Sequence, residues 1–242
     1  MRAVIVTGVS RGLGESLAAA LLERNFTVLG VGRASSARLS GEAYRFIQLD
    51  LAHCERIAGV LRPAFRALAD ARPVSVCLIN NAAAAAPVGV LGRLDDSAIA
   101  ASLAVNLAAP VALASLFCEV FGDDTMSPRI INVSSGAAQM PLPGGGVYSI
   151  AKAGLEMLTK QLAAEQPGPS FRAVTVRPGV IDTAMQAFMR SQPRALLPSV
   201  ELFEGFHKSG QLVAPDVVAR KIVERLVLGQ VEQGRTYSYQ EL

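Results

Sequence analysis

The chain has 242 residues, of which 51% are hydrophobic, 18% are charged and none is tryptophan, with a formal net charge of +3. That balance excludes a disordered polymer, and so small and dispersed a positive charge excludes a nucleic-acid footprint. Three scattered cysteines and two histidines give neither a disulfide framework nor a structural metal site, so a reducing cytoplasm is the expected compartment.

The length suits one α/β domain. Ala3 to Val6 is a short β-branched run closed by Thr7-Gly8-Val9-Ser10-Arg11-Gly12-Leu13-Gly14, after which Leu13, Leu17, Leu21 and Leu22 recur at helical spacing. Strand, glycine loop and helix in that order make a dinucleotide cradle. Its backbone N–H groups approach a pyrophosphate at a helix N-terminus, where the dipole favours negative charge. Gly8, Ser10, Arg11, Gly12, Leu13 and Gly14 are the candidate contacts.

The second strand, Phe26 to Gly32, ends at Arg33. An acid there would hold the ribose 2′-hydroxyl of NAD. No Asp or Glu lies between Asn25 and Gly41, whereas Arg33 follows the strand and Arg11 lies in the glycine loop. Two guanidiniums suit a 2′-phosphate, so the expected cofactor is NADP(H).

The pattern repeats with a strand at 44–50, a helix whose apolar face is Ile57, Val60, Leu61, Phe65 and Leu68, and an apolar strand at 74–79 ended by Asn80-Asn81-Ala82-Ala83. Ser97 to Val120 carries a single charge, Glu119, and is long enough to span a bilayer. Its alanine-rich composition and central Asn106 and Pro110 point instead to a helix buried against a sheet or a partner subunit.

A strand at 129–133 follows, then Ser134-Ser135. Thirteen residues after Ser135, Tyr148 opens a helix that runs to about Glu165 and places Lys152 four residues on, on the same face. An adjacent ammonium is expected to lower the phenol pKa and make Tyr148 a usable general acid/base. A strand at 171–176 leads to Pro178-Gly179. Residues 180–210 break the periodicity and read as a mobile substrate lid, with Met140, Leu142, Met185, Phe188 and Phe206 as candidate pocket residues. Pro215 opens a last helix, and Thr236 to Tyr239 can add an edge strand. Six alternations of strand and helix argue for a doubly wound parallel sheet flanked by helices, with ligands at the strand carboxyl ends.

Together these residues resemble the short-chain dehydrogenase/reductase family in its short, single-domain form with a Rossmann fold, over Val4 to about Leu228. Six features stand in the family's order: Thr7-Gly8-x-x-x-Gly12-x-Gly14, Asn80-Asn81-Ala82, Asn106, Ser135, Tyr148-x-x-x-Lys152 and Pro178-Gly179. The arginine before the second glycine is similar to NADPH-using members. The resemblance implies that Asp50 and Leu51 lie along the adenine, that Asn80 and Ala82 border it, and that Ile181 and Thr183 hold the nicotinamide carboxamide.

It also implies a catalytic set of Asn106, Ser135, Tyr148 and Lys152. Tyr148 gives the proton, Ser135 bonds the carbonyl oxygen, Lys152 binds the ribose and Asn106 anchors a water. Residues 132–138 and 178–186 resemble the branch containing sepiapterin reductases and bacterial benzil reductases. The expected function is therefore NADPH-dependent reduction of a ketone or vicinal dicarbonyl in a small apolar molecule, by a homodimer or homotetramer.

Two departures bear on this. Ala83 replaces a usual glycine, which is tolerable if its φ stays negative. Ser238 stands where sepiapterin reductases place an acid, which counts against a pterin substrate. The alternative is a catalytically silent NADPH-binding sensor or scaffold, but such chains lose a catalytic side chain and this one keeps all four.

Overall fold

The computed structural model of the protein describes residues 1–122, 126–166 and 168–242. Seven strands, β1 (Arg2–Thr7), β2 (Thr27–Gly32), β3 (Tyr44–Gln48), β4 (Ser75–Asn80), β5 (Ser127–Val133), β6 (Arg172–Arg177) and β7 (Thr236–Ser238), form one sheet in the order β3-β2-β1-β4-β5-β6-β7. Every pairing is parallel. The order reverses between β1 and β4, so the loops after these two strands diverge and open a crevice at the strand carboxyl ends.

The strand period of two divides the core into two layers. Ala3 and Ile5 of β1 point into one layer with Phe65, Phe117 and Phe121. Val4 and Val6 point into the other with Leu17, Leu21, Val218 and Ile222. Helix α1 (Gly12–Leu22) buries the Leu13, Leu17 and Leu21 stripe that the sequence marks. Helix α2 (Ile57–Asp70) and the predicted long helix cover the opposite face.

That long helix runs from Asp96 to Phe121, but not as one regular rod. Helices α3 (Asp96–Leu103) and α4 (Ala109–Phe121) are joined by a wide π turn at Ala104–Ala108 centred on Asn106. It is the one helix among the described residues long and apolar enough to cross a membrane, and 39% of its most apolar window is buried inside the chain. Its inward face is core: the Phe117 and Phe121 rings stand 4.9 Å apart, and Phe121 meets Phe65 of α2 at 5.7 Å.

Residues 180–210 contain two short helices, α6 (Ala184–Arg190) and α7 (Val200–Lys208). Gln186 Nε2 donates to the Phe203 carbonyl at 2.9 Å and ties them together. Met189, Leu197 and Val200 form a separate small core with Ala85, Val88 and Phe203. At the base, Ile181 bridges Val213. Met140 and Phe188 of the expected pocket set are 63% and 39% exposed, so these two do not line a closed cavity in this state. Helix α8 (Pro215–Ile222) returns the chain to β7, the expected edge strand.

Candidate active site

The glycine loop is built for close backbone approach. A Cβ on Gly14 would stand 2.2 Å from the Gly8 carbonyl oxygen and 2.4 Å from Asn81 Nδ2, and one on Gly8 would stand 2.9 Å from Ala82 Cα. Gly8 and Gly12 both adopt positive φ, +76° and +63°. Arg11 at the start of α1 makes no side-chain capping bond, so the first-turn N–H groups of the helix keep their capacity for an anion. Asn81 holds the loop from across the crevice, donating from Nδ2 to the Thr7 carbonyl at 2.9 Å, while Thr7 Oγ1 accepts from the Asn81 and Ala82 backbone N–H groups. This cradle fits a dinucleotide pyrophosphate.

Asn80, expected to support the loop beside the adenine, does something else. Its side chain turns into the sheet and donates to Asn132 Oδ1 at 2.8 Å. Asn132 in turn donates to Thr159, and Thr159 pairs with Thr175 at 2.6 Å. Asn80, Asn132 and Thr175 are in register across β4, β5 and β6. The result is a polar row under the helix that carries Tyr148, with the buried Asn80 Oδ1 left unpartnered. The loop tie belongs to Asn81, a role hidden in the sequence behind its identical neighbour.

On the expected adenine side, Asp50 accepts from the Ala52 N–H at 3.0 Å, which makes it the turn former before α2. Leu51 is core, 4% exposed. Arg11 and Arg33 are both exposed, whereas Arg38 nearby is engaged by Glu15 and Asp216. Ala83 keeps a negative φ, so the missing glycine costs no backbone strain.

Helix α5 (Gly146–Glu165) brings Tyr148 and Lys152 against the end of β5. Ser135 accepts from the Ala137 N–H at 3.2 Å, which fixes its oxygen, and its hydroxyl stands close enough to the phenol to pull the Tyr148 pKa downward. Lys152 is 2% exposed, donates from Nζ to the Val133 carbonyl at 2.8 Å and lies 5.5 Å from the Tyr148 ring centre.

The expected acidification of the phenol is not met in this state. Burial pushes the Tyr148 pKa up to about 12, against a smaller downward pull from Ser135. Burial likewise brings Lys152 down to about 8. The cause is shared: the packing around the half-buried phenol and the buried amine disfavours charge on either, and the amine is held by a carbonyl.

Asn106 is fully buried in the π turn and grips the Ala84 peptide at both ends. Its Oδ1 accepts from the Ala84 N–H at 3.0 Å, and its Nδ2 donates to the Ala84 carbonyl at 2.9 Å and to Ser102 Oγ at 3.1 Å. It therefore pins the loop leaving β4.

On the far side, Gly179 (φ +77°) lies under the Tyr239 ring, and a Cβ there would stand 3.1 Å from Tyr239 Cβ. Ile181 is bridged to Val213, and Thr183 caps α6 through Gln186 while its methyl group would stand 3.4 Å from a Cβ on Gly12. The predicted nicotinamide side and the pyrophosphate loop thus meet across the crevice. Pro178 precedes that turn, buried.

Sequence reasoning passed over Ser134, Glu156 and Arg177. Ser134 Oγ donates to Glu156 at 2.8 Å, and Arg177 grips the same carboxylate with two bonds. The available signal was spacing, because Glu156 is four residues beyond Lys152 on the same helical stripe.

A doubly wound parallel sheet, a glycine cradle at its switch point and a Ser-Tyr-Lys cluster beside it define a dinucleotide-dependent oxidoreductase. The chain belongs to the short chain dehydrogenase family, whose model matches residues 2–194. The family uses a nicotinamide cofactor to interconvert CH–OH and C=O groups. Among relatives, the chain is 32% identical to a benzil reductase ((S)-benzoin forming) of Bacillus cereus, covering 100% of both chains. It is also 32% identical to a sepiapterin reductase of Meriones unguiculatus, covering 95% of this chain and 93% of the relative. The YIR035C short-chain dehydrogenase/reductase of Saccharomyces cerevisiae superposes with a TM-score of 0.85 at 25% identity, over 99% of this chain and 96% of that one.

Proposed function

We propose that this protein is an NADPH-dependent carbonyl reductase acting on a ketone or vicinal dicarbonyl of a small apolar molecule, with Tyr148 as the proton donor. The observation that carries this reading is the convergence of Tyr148, Ser135 and Lys152 at the end of β5. Full-length similarity to a benzil reductase supports the dicarbonyl class.

The residues of the cradle, Gly8, Ser10, Arg11, Gly12, Leu13 and Gly14, would take the pyrophosphate, with Arg11 and Arg33 on the 2′-phosphate. Asp50 and Ala82 would border the adenine side together with the backbone of Leu51 and Asn80, whose side chains are buried in the core and the sheet. Pro178, Gly179, Ile181 and Thr183 flank the nicotinamide, and Lys152 holds its ribose. When bound, the reduced nicotinamide supplies a hydride to the carbonyl carbon.

The protein's share is position and protons. Ser135, its oxygen fixed by Ala137, directs its proton to the carbonyl oxygen, an oxyanion-type donor worth about 3 kcal/mol. Tyr148, protonated well above neutral pH, gives its proton to that oxygen. Asn106 Oδ1 has accepted one bond from Ala84 and keeps a lone pair for the water that returns a proton through Lys152. Residues 180–210 cover the substrate.

Exposed apolar residues on α4 and α5, Val111, Ile150 and Met157, support a homodimer or homotetramer. Purified protein incubated with NADPH or NADH and a panel of benzil, aliphatic 1,2-diketones, simple ketones and aldehydes tests the reading. Faster NADPH consumption with the diketones is expected. Consumption with none of them would leave a silent NADPH binder, and a preference for NADH would overturn the phosphate assignment.

A further inference from the structure

The structure assigns Glu156 and Arg177 as a positioning pair for Tyr148, an inference that rests on the reductase reading above. Three consecutive residues at the end of β5 each engage a different turn of α5. Val133 accepts from Lys152 Nζ at 2.8 Å, Ser134 donates to Glu156 Oε1 at 2.8 Å, and the Ser135 hydroxyl stands beside the Tyr148 phenol. Tyr148, Lys152 and Glu156 recur every four residues and so form one stripe along the helix.

Glu156 is the member of that stripe that also reaches β6. Arg177 Nε donates to its Oε1 at 2.8 Å, and the second guanidinium nitrogen donates to Oε2 at 2.7 Å. The two side chains are 22% and 14% exposed for Arg177 and Glu156, so this fork is better shielded than the surface pairs of the chain. Arg177 is bonded directly to Pro178, the start of the turn assigned to the nicotinamide side. One carboxylate therefore joins the helix of the proton donor, the strand end of Ser135 and the strand end of the Pro178-Gly179 turn.

These three pieces have no covalent reason to keep register. The Ser135 to Tyr148 contact depends on where α5 sits along β5, and Ser134, bound to Glu156, is the residue beside Ser135. A carboxylate accepting three bonds from two strands sets that position in two directions. Neutralising it removes the charge that makes the fork bidentate, and shortening the arginine removes the second bond.

The test compares Glu156→Gln, Arg177→Lys and the charge swap Glu156→Arg/Arg177→Glu with the parent chain. Initial rates are taken with NADPH and the best carbonyl of the panel, at a temperature where all variants remain folded by circular dichroism. NADPH affinity is measured separately. In parallel, the ¹³Cζ resonance of Tyr148, assigned by its loss in Tyr148→Phe, is recorded without substrate.

The single variants are expected to lower kcat about 10-fold to 100-fold, since misplacement by an ångström costs that order, with KM and NADPH affinity changed less than about threefold. The Tyr148 resonance is expected to move in both singles and to return toward its parent position in the swap. A merely structural pair would lower the melting temperature and leave kcat and the resonance of the folded protein unchanged, and that result overturns the assignment. A parent chain that reduces none of the carbonyls would sink the reductase reading alone, because the resonance still decides whether the pair places Tyr148.

Discussion

Tyr148 and Lys152 share a site that favours the neutral form of each, and a pH dependence of either direction of the proposed reaction follows. A phenol whose pKa is raised to about 12 stays protonated through the physiological range, as a proton donor to a carbonyl must be. Alcohol oxidation needs the phenolate, whose fraction grows about tenfold per pH unit below that pKa. Alcohol oxidation is therefore expected to accelerate steadily as pH rises from 6 to 10. Ketone reduction is expected to stay level at low pH and to decline once Lys152, held at about 8, loses its charge. Initial rates in both directions across that range check this, and an oxidation rate already level at pH 7 would contradict it. Arg33→Asp is expected to reduce the NADPH-to-NADH ratio of kcat/KM by roughly 10- to 100-fold, the scale of one charge-assisted hydrogen bond lost. Competition between the two cofactors measures it. The identities of Tyr148, Lys152 and Ser135 were legible because each sits in a short motif. The direction of the Tyr148 shift was not, because burial is set by chain segments far from residue 148 in sequence.

At the level of elements, the glycine loop and helix α1 were readable from local rules alone: a β-branched run, three glycines and a leucine at every fourth place. Their reason is contact, since Gly14 has no room for a side chain between Gly8 and Asn81. Gly14→Ala is expected to cost about 1–3 kcal/mol by overpacking, a melting-temperature loss of roughly 2–10 °C for a domain of this length, together with most of the NADPH affinity. Thermal melts with and without NADPH read both effects, and an unchanged melt that still shifts with NADPH would refute the cradle. The helix from Asp96 to Phe121 shows the limit of local reading. Its extent was legible from one long apolar stretch, but the π turn at Ala104–Ala108 was not, although Pro110, which has no N–H to return to the preceding turn, stands two residues beyond it. That turn carries Asn106, whose bonds to Ala84 join two elements the sequence keeps 22 residues apart. Glu156 with Arg177 escaped notice for the same reason, since one lies on a helix and the other at the end of a strand.

For the whole molecule, the parallel sheet converts sequence order into a site. Strand reversal between β1 and β4 opens the crevice, β5 and α5 bring a hydroxyl, a phenol and an amine to one side of it, and the turn after β6 closes the other. The alternation of strands and helices made this architecture legible, because continuous apolar strands have few other ways to be covered on both faces. The packing of residues 180–210 was less so, since α6, α7 and the turn between them bury Met189, Val200 and Leu197 against Ala85 and Val88, a cluster that periodicity does not announce. The most direct measurement of the central claim is single-turnover reduction of a 1,2-diketone by NADPH in the parent chain and in Tyr148→Phe, with NADPH affinity determined alongside. The rate is expected to fall by about 10²- to 10⁴-fold, the range of a general acid lost, while affinity stays within about threefold. A variant that reduces the diketone at the parent rate would show that the proton comes from elsewhere.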